Sequence, residues 1–416
     1  MNPKRKTLVV SAFLLMLASA FTDNLRASLI PLLHNELGMS FAHTGGLLLT
    51  VAGVAGALFN TQLLRIEDHQ GIRGIVFFAA SLMLLTAVLA IQVSGAATLA
   101  LMSIPLGGAI TSLGTVSNLL MVMGSETGET PDRAHDTSTT TLDARSARRA
   151  KMLAGLHLMY GAGALTAPAI AGLAFAKNLA WPWIFSVPLT LIAMPAIWSL
   201  RLGPGKQTSA TRLKNGETSA RLPLWRGMSP AEWFVVAIFL AYVTGEVLAS
   251  MWMPSFLMDH FKLDFEHANK TSAGFFLTFS VARLLVVIFM RERFHKPLVY
   301  FPLILGACLM ITGIVLSQPG KSSSGLVFLF PLAGIIGPFF PMMLARVSTL
   351  YHESWQRLTV VILTTMQVAL ALSHVILGAV FDELGAQRAY LIPPALLIIA
   401  GCGSFAFLKR SRASSG

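Results

Sequence analysis

Charge is what this sequence has little of. Only 12% of its 416 residues are Asp, Glu, Lys or Arg, against about 25% in a soluble domain. A chain of this length folded in water would form two or three domains, each with a charged coat, and too few charged side chains are present to supply them. Cysteine is scarcer still. Cys308 and Cys402 lie in separate apolar stretches, which excludes a disulfide framework and a cysteine metal cluster and leaves packing as their expected role. There is no phosphate-binding glycine loop, no His/Cys cluster at metal-ligand spacing, and no nucleophile with a recognisable base. The sequence therefore predicts neither an enzyme nor an ATP-driven pump, with no metal and no cofactor. Apolar surface takes the place of charge: 54% of the residues are hydrophobic and the mean hydropathy is +0.67. Apolar runs near twenty residues recur, the length that crosses a bilayer as a helix.

Twelve such runs predict twelve spans: 7–33, 40–64, 74–94, 97–123, 152–175, 181–200, 231–256, 271–290, 297–317, 324–345, 358–380 and 387–408. The expected fold class is an all-α membrane protein. Acidic residues are few beside basic ones, and the net charge is +12. In a soluble protein that balance would suggest nucleic acid, but the placement argues otherwise. With a cytoplasmic N-terminus, 24 of the 31 Lys and Arg fall on the cytoplasmic side, and only Lys177, Lys262, Lys270, Lys321 and Arg388 on the other. This is the positive-inside pattern of a multi-pass inner-membrane protein with both termini cytoplasmic, and no nucleic-acid partner is needed to explain it. The first run is too long for a signal peptide and carries Asp23-Asn24-Leu25-Arg26 where cleavage would be expected, so it reads as a retained helix.

Two polar stretches interrupt the pattern, at 124–151 and 201–229. The second, rich in Gly, Pro, Ser, Thr and Lys, reads as a cytoplasmic linker between an N-terminal six-helix bundle (1–200) and a C-terminal one (230–416). It ends at Ser229-Pro230-Ala231-Glu232, an N-cap with Pro at N1 and Glu at N3 that predicts a helix start. The first holds a Ser/Thr run (137–141) and Arg145, Arg148 and Arg149, and reads as a disordered cytoplasmic loop whose arginines attract lipid. Asp23 and Glu246 fall at similar depths in the leading span of each half, as expected of parallel repeats around a central site.

Over its whole length the chain resembles the major facilitator superfamily. The resemblance is carried by Gly161-Ala162-Gly163-Ala164 with Pro168 to Gly172 and Trp181-Pro182-Trp183, by Gly378 to Gly385, and by a degraded loop from Leu64 to Arg73. Within that superfamily it is most similar to the fucose/glucose/galactose–proton symporters, through Asp23-Asn24 with Leu29-Ile30-Pro31, His157 to Ala164, Tyr242 to Glu246, Trp252, and Ala282-Arg283. The resemblance implies two pseudo-symmetric bundles, gating roles for Asp68, Gly71, Arg73, Asp382 and Gly385, and a monomer among membrane lipids. It departs in the fourth span, where Gly114 stands in place of the group's second acid, four residues before Asn118.

Ionisable residues inside spans cost about 2.5–3.5 kcal/mol each on insertion scales, so each is informative. Asp23 and Arg26 are three residues apart and can pair, either as a locked ion pair or as one that a proton or substrate opens. Glu246 has no partner within one turn of its own helix, and its alternatives are a proton carrier, favoured by low dielectric, or a salt bridge to Arg283. Asp23 and Glu246 are therefore the candidate proton-coupling residues. Candidate substrate contacts are Asn24, Arg26, Asn118, His157, Tyr160, Tyr242, Trp252, Arg283, Gln367 and His374, with Asn60 and Gln62 adding polar capacity. Gly161 and Gly163 are small enough to let a neighbouring helix approach. The expected function is proton-coupled uptake of a sugar-like solute. Export of drugs or amphiphiles is the rival, suited to 19 Met and 26 Phe. A non-transporting sensor or scaffold would need no charges buried in both halves.

Overall fold

The computed structural model describes residues 3–126, 139–198, 227–289, 297–318, 324–351 and 354–413, and everything regular in them is helical. Only helices and closed barrels satisfy their backbone polar groups in hydrocarbon. Buried hydroxyls follow the same rule by turning back on their own helix: Thr22 Oγ1 donates to the Ala18 carbonyl (2.8 Å), Ser28 Oγ to that of Asn24 (3.0 Å), and Ser103 Oγ to that of Leu99 (2.8 Å).

Ten described helices are long and apolar enough to cross a membrane. The other two helices fall at the expected sixth and eighth positions: Trp181–Trp198, and Phe265–Phe289, which carries Glu266, Lys270 and Arg283. Each of the twelve predicted spans thus meets a helix, and the differences lie at the ends. The first is Pro3–Ser28, followed by a separate helix Ile30–Leu37, because Pro31 cannot accept the preceding register and Gly38 (φ 62°) ends the turn. The seventh, Pro230–Met251, breaks at Trp252 and resumes as Met253–His260 with Pro254 in its first turn. It starts as predicted: Ser229 Oγ accepts from the Glu232 N–H (3.2 Å), and Glu232 Oε2 accepts from that of Ser229 (2.7 Å).

The second and third spans are continuous helix, Ala52–Ile91, broken only at Gly71 (φ 68°, ψ −168°), a conformation that L side chains avoid. The fifth helix begins at Thr139, so 139–151, expected as disordered loop, is helical instead. Residues 124–126 end the fourth helix, Ala96–Glu126, while 127–138 and most of the 201–229 linker lie outside the described residues. Cys308 and Cys402, expected in packing, are both exposed.

The first span packs on the fourth and fifth, the second on the fourth, and the seventh and ninth on the twelfth. Three pairs join the halves: the fifth with the eighth, the second with the eleventh, and the first with the seventh. The fifth span approaches through its glycines, as expected. A Cβ on Gly163 would lie 2.5 Å from the Leu17 carbonyl oxygen of the first span, and Gly161 faces Ser280 of the eighth. We call the membrane side on which the first span ends the far face, opposite the N-terminus.

Candidate functional site

The ionisable residues of the spans converge where the halves meet. In the first span Arg26 Nη2 donates to Asp23 Oδ1 in a close ion pair, its Nε reaches the Asp23 carbonyl (3.3 Å), and its Nη1 reaches the Leu48 carbonyl (3.3 Å). That last acceptor exists because the second span opens with a π-turn, Gly46–Val51, whose wider ring disturbs the usual i−4 pairing. The other Asp23 oxygen, Oδ2, accepts from the Tyr160 hydroxyl of the fifth span (3.0 Å). Asn24 donates to its own helix, at the Ala20 carbonyl (2.9 Å), while its side chain also lies against the Tyr160 hydroxyl.

In the other half Glu246 makes no ion pair with any described residue. Of the two alternatives for this acid, the salt bridge to Arg283 is not formed, although the two interact electrostatically. Arg283 instead donates through Nε to the Gly337 carbonyl of the tenth span (2.7 Å) and through Nη1 to the His157 carbonyl of the fifth (3.3 Å). Its guanidinium lies 4.0 Å over the Phe279 ring. Nor is Glu246 without a neighbour in its own helix: Tyr242, one turn earlier, feels its charge. The Tyr242 hydroxyl is buried without a hydrogen bond of normal geometry, and its ring packs on Phe339 at 4.3 Å. Tyr160 links the halves, lying within the fields of both Asp23 and Glu246.

The remaining candidates fall into three places. His157 sits by Phe340 (5.9 Å) and Arg283, on the Glu246 side of the site. Asn118 Nδ2 bonds back to the Gly114 carbonyl (2.8 Å), the Asn60 Oδ1 accepts from Thr115 Oγ1 (3.0 Å), and Asn60, Asn118 and Gln367 are all exposed. A Cβ on Gly114 would meet Ser19 Oγ, one turn before Asp23, at 3.5 Å. An acid there would thus face the Asp23 side of the first span. His374 and Trp252 are engaged with each other: Trp252 Nε1 donates to His374 Nδ1 (3.1 Å), with both side chains buried.

Of the residues with an expected gating role, Gly71 forms the break between the second and third spans, and Arg73 is half-buried after it. The Asp68 side chain lies outside the described residues. Gly385 (φ 82°) ends the eleventh span, and Asp382 within it accepts from the Phe41 and Ala42 N–H groups (2.8 and 2.7 Å) at the start of the second. The sequence reading missed the Leu48 carbonyl, Phe279 beneath Arg283, and Phe41 and Phe381, which pack at 5.2 Å over that contact. Among the described residues no cluster of His, Cys, Asp or Glu could hold a metal ion. The arrangement can hold and exchange protons and hydrogen bonds between two bundles.

An apolar cavity of about 710 Å³ lies apart from these groups, between the first, fifth and sixth spans, with Leu17, Phe21, Ile170, Trp183 and Leu191 in its wall.

No curated protein matches the chain. In three dimensions it is similar to a bacterial homologue of the human lysosomal transporter Spinster, solved inward-facing and unoccupied. The TM-score is 0.65 at 14% identity, with 98% of this chain and 97% of that one covered, which is a likeness of fold. Residues 137–358, more than half of the sequence, match the family of the Major Facilitator Superfamily. Helices that span a membrane many times, a charged centre between two bundles and this match agree: the chain belongs to the major facilitator superfamily, and is an integral multi-pass membrane transporter of the secondary type, not an enzyme.

Proposed function

We propose that the protein moves a small solute in exchange for, or together with, protons, its two bundles rocking about the central charges. The observation that carries this reading is Tyr160, which hydrogen-bonds Asp23 of one half and lies in the field of Glu246 of the other. Asp23 and Glu246, one acid in the leading span of each half, are the proton carriers in this reading. The gradient replaces any cofactor. The excess of Lys and Arg on one side supports an inner-membrane location with cytoplasmic termini. The seam on the far face is closed, and we read this as the state open toward the termini.

For the solute, a sugar-like molecule is favoured by the resemblance to the fucose/glucose/galactose–proton symporters and by the exposed amides of Asn60, Asn118 and Gln367. Tyr242 and Trp252 offer no ring face to it in this state, since both are packed. Export of an amphiphile is the second reading, and the apolar cavity beside the first span favours it. The test is transport in proteoliposomes: Glu246→Gln and Asp23→Asn should each abolish uptake driven by a pH gradient. Uptake unchanged in both variants would falsify the assignment of the carriers. Thermal-shift screening against sugars and lipophilic cations decides between the solutes, and stabilisation by the cations alone would overturn the sugar reading.

A further inference from the structure

Trp252 is fully buried at the break that ends the seventh span. Its indole fills a slot between two glycines of different halves. A Cβ on Gly45 of the second span would come within 2.6 Å of Cζ2, and one on Gly378 of the eleventh within 3.1 Å of Cη2. Phe41 and Phe381 flank the indole with ring centroids at 6.4 and 5.5 Å. Beyond them the Asp382 carboxylate caps the start of the second span, and Thr50 Oγ1 donates across the same seam to the Ala371 carbonyl (2.7 Å). The far face is therefore shut by a ring held between two halves.

The one polar atom of that ring donates to His374 Nδ1. An imidazole accepting there is neutral, with its hydrogen on Nε2, and offers a single acceptor. Arg26 reaches the same seam: its Nη1 donates to the Leu48 carbonyl, on the stretch of the second span where a Cβ on Gly46 would lie 3.7 Å from Val375 and one on Gly53 3.8 Å from Ala371, and its charge acts on the His374 imidazole. Asp23 and the Leu48 carbonyl take three of its five N–H groups. One acceptor thus stands within the influence of two donors, one on the plug and one in the charge pair.

We propose that His374 is the positioning residue that ties the far-face plug to the charge pair of the first span. While Asp23 is ionised it holds Arg26, and His374 holds Trp252. When Asp23 takes a proton, which stays on its carboxyl group, Arg26 loses its anionic partner and donates to His374 Nδ1 instead, and the indole is released from its slot. The charged or titratable groups facing Asp23 are Arg26 and Tyr160, with Glu246 acting on the same tyrosine; the charge acting on His374 is that of Arg26. The proposal rests on alternating access but not on the identity of the solute.

The test places spin labels at the exposed far-face positions Glu36 and Leu384, one in each half, through Glu36→Cys and Leu384→Cys in a Cys308→Ser, Cys402→Ser background. Label-to-label distances are then read without solute or gradient. His374→Phe and Trp252→Phe, which keep a ring but remove the acceptor or the donor, should raise the ratio of wide to narrow distances about threefold to tenfold, the worth of one net hydrogen bond. His374→Gln, whose amide oxygen can still accept, should match the parent. Asp23→Asn should widen the distribution too, and adding Arg26→Gln should cancel that widening. The proposal is overturned if His374→Phe matches the parent, if His374→Gln widens as much as His374→Phe, or if Asp23→Asn leaves the distances unchanged. None of these readings requires that Asp23 carry the transported proton, so failure here and failure of the transport assay are distinct results.

Discussion

The two halves each bring one acid and one arginine to the centre and use them differently. In the first span Asp23 and Arg26 neutralise each other on one helix face, so the pair is complete before any other helix packs. In the second half Glu246 and Arg283 sit on separate helices and do not pair; the arginine joins the tenth and fifth spans through carbonyls, and the acid is left with a tyrosine. A self-contained pair can be opened and closed by a proton without unfolding anything. A shared arginine that bridges three helices is a fixed strut, and it forms no ion pair with its acid. In the proposed function, switching would then belong to both acids but to only one arginine.

The largest effect that would break this contrast comes from the arginines. Arg26→Met leaves Asp23 with Tyr160 alone and should cost about 3 kcal/mol, as removing one member of a buried pair does. Arg283→Met removes charged hydrogen bonds to carbonyls and should cost about 1.5–3 kcal/mol. Thermal unfolding in detergent measures both, and a costlier loss at Arg283 would reverse the roles assigned here. The acids should show a sharper asymmetry at smaller scale. Asp23→Asn frees a buried guanidinium and should destabilise by about 2 kcal/mol, whereas Glu246→Gln removes an unpaired carboxylate and should be neutral or stabilising by about 1 kcal/mol. Equal losses would mean that Glu246 is paired after all.

The smallest effect lies outside the spans and serves as a control. Asp264 accepts from the His267 N–H (2.8 Å) and pairs with its ring, which holds its carboxyl below the usual 3.8. A depressed carboxyl contributes stability that is present above its unfolded value and is lost as the pH falls through the folded one. Asp264→Asn should therefore cost less than about 0.5 kcal/mol at neutral pH, since the pair is exposed, and the difference from the parent should shrink as the pH falls below the usual 3.8 and vanish below the lowered folded value.

Much of this was readable from spacing. Each of the twelve apolar runs meets a helix, ten of them long and apolar enough to cross a membrane, and Ser229-Pro230-Ala231-Glu232 located the start of the seventh, because both signals are local. The Asp23–Arg26 pair was legible for the same reason. The failures were contacts between distant residues: Trp252 was assigned to a solute, but Gly45 and Gly378 build its slot from opposite ends of the chain. Which alternative holds for Glu246 was also beyond the sequence, because Arg283 donates to the carbonyls of Gly337 and His157, which no side-chain pattern announces. One signal was available and unused. Pro31 follows Asp23, and Pro254 follows Glu246, by the same eight residues, and each starts a separate eight-residue helix. That register marks the internal repeat more firmly than the depths of the acids.

The single glycine between the second and third spans sets a strict phase. Helix runs up to Gly71 and away from it with no slack on either side, so the azimuth of each span is counted from that residue. One residue inserted next to it would turn the following helix by about 100°. The face now carrying Ile72, Val76 and Met83 into the core would point elsewhere, and Phe77 and Leu84, now on the outer surface, would be carried around with it. The tolerance of this joint to length is therefore zero.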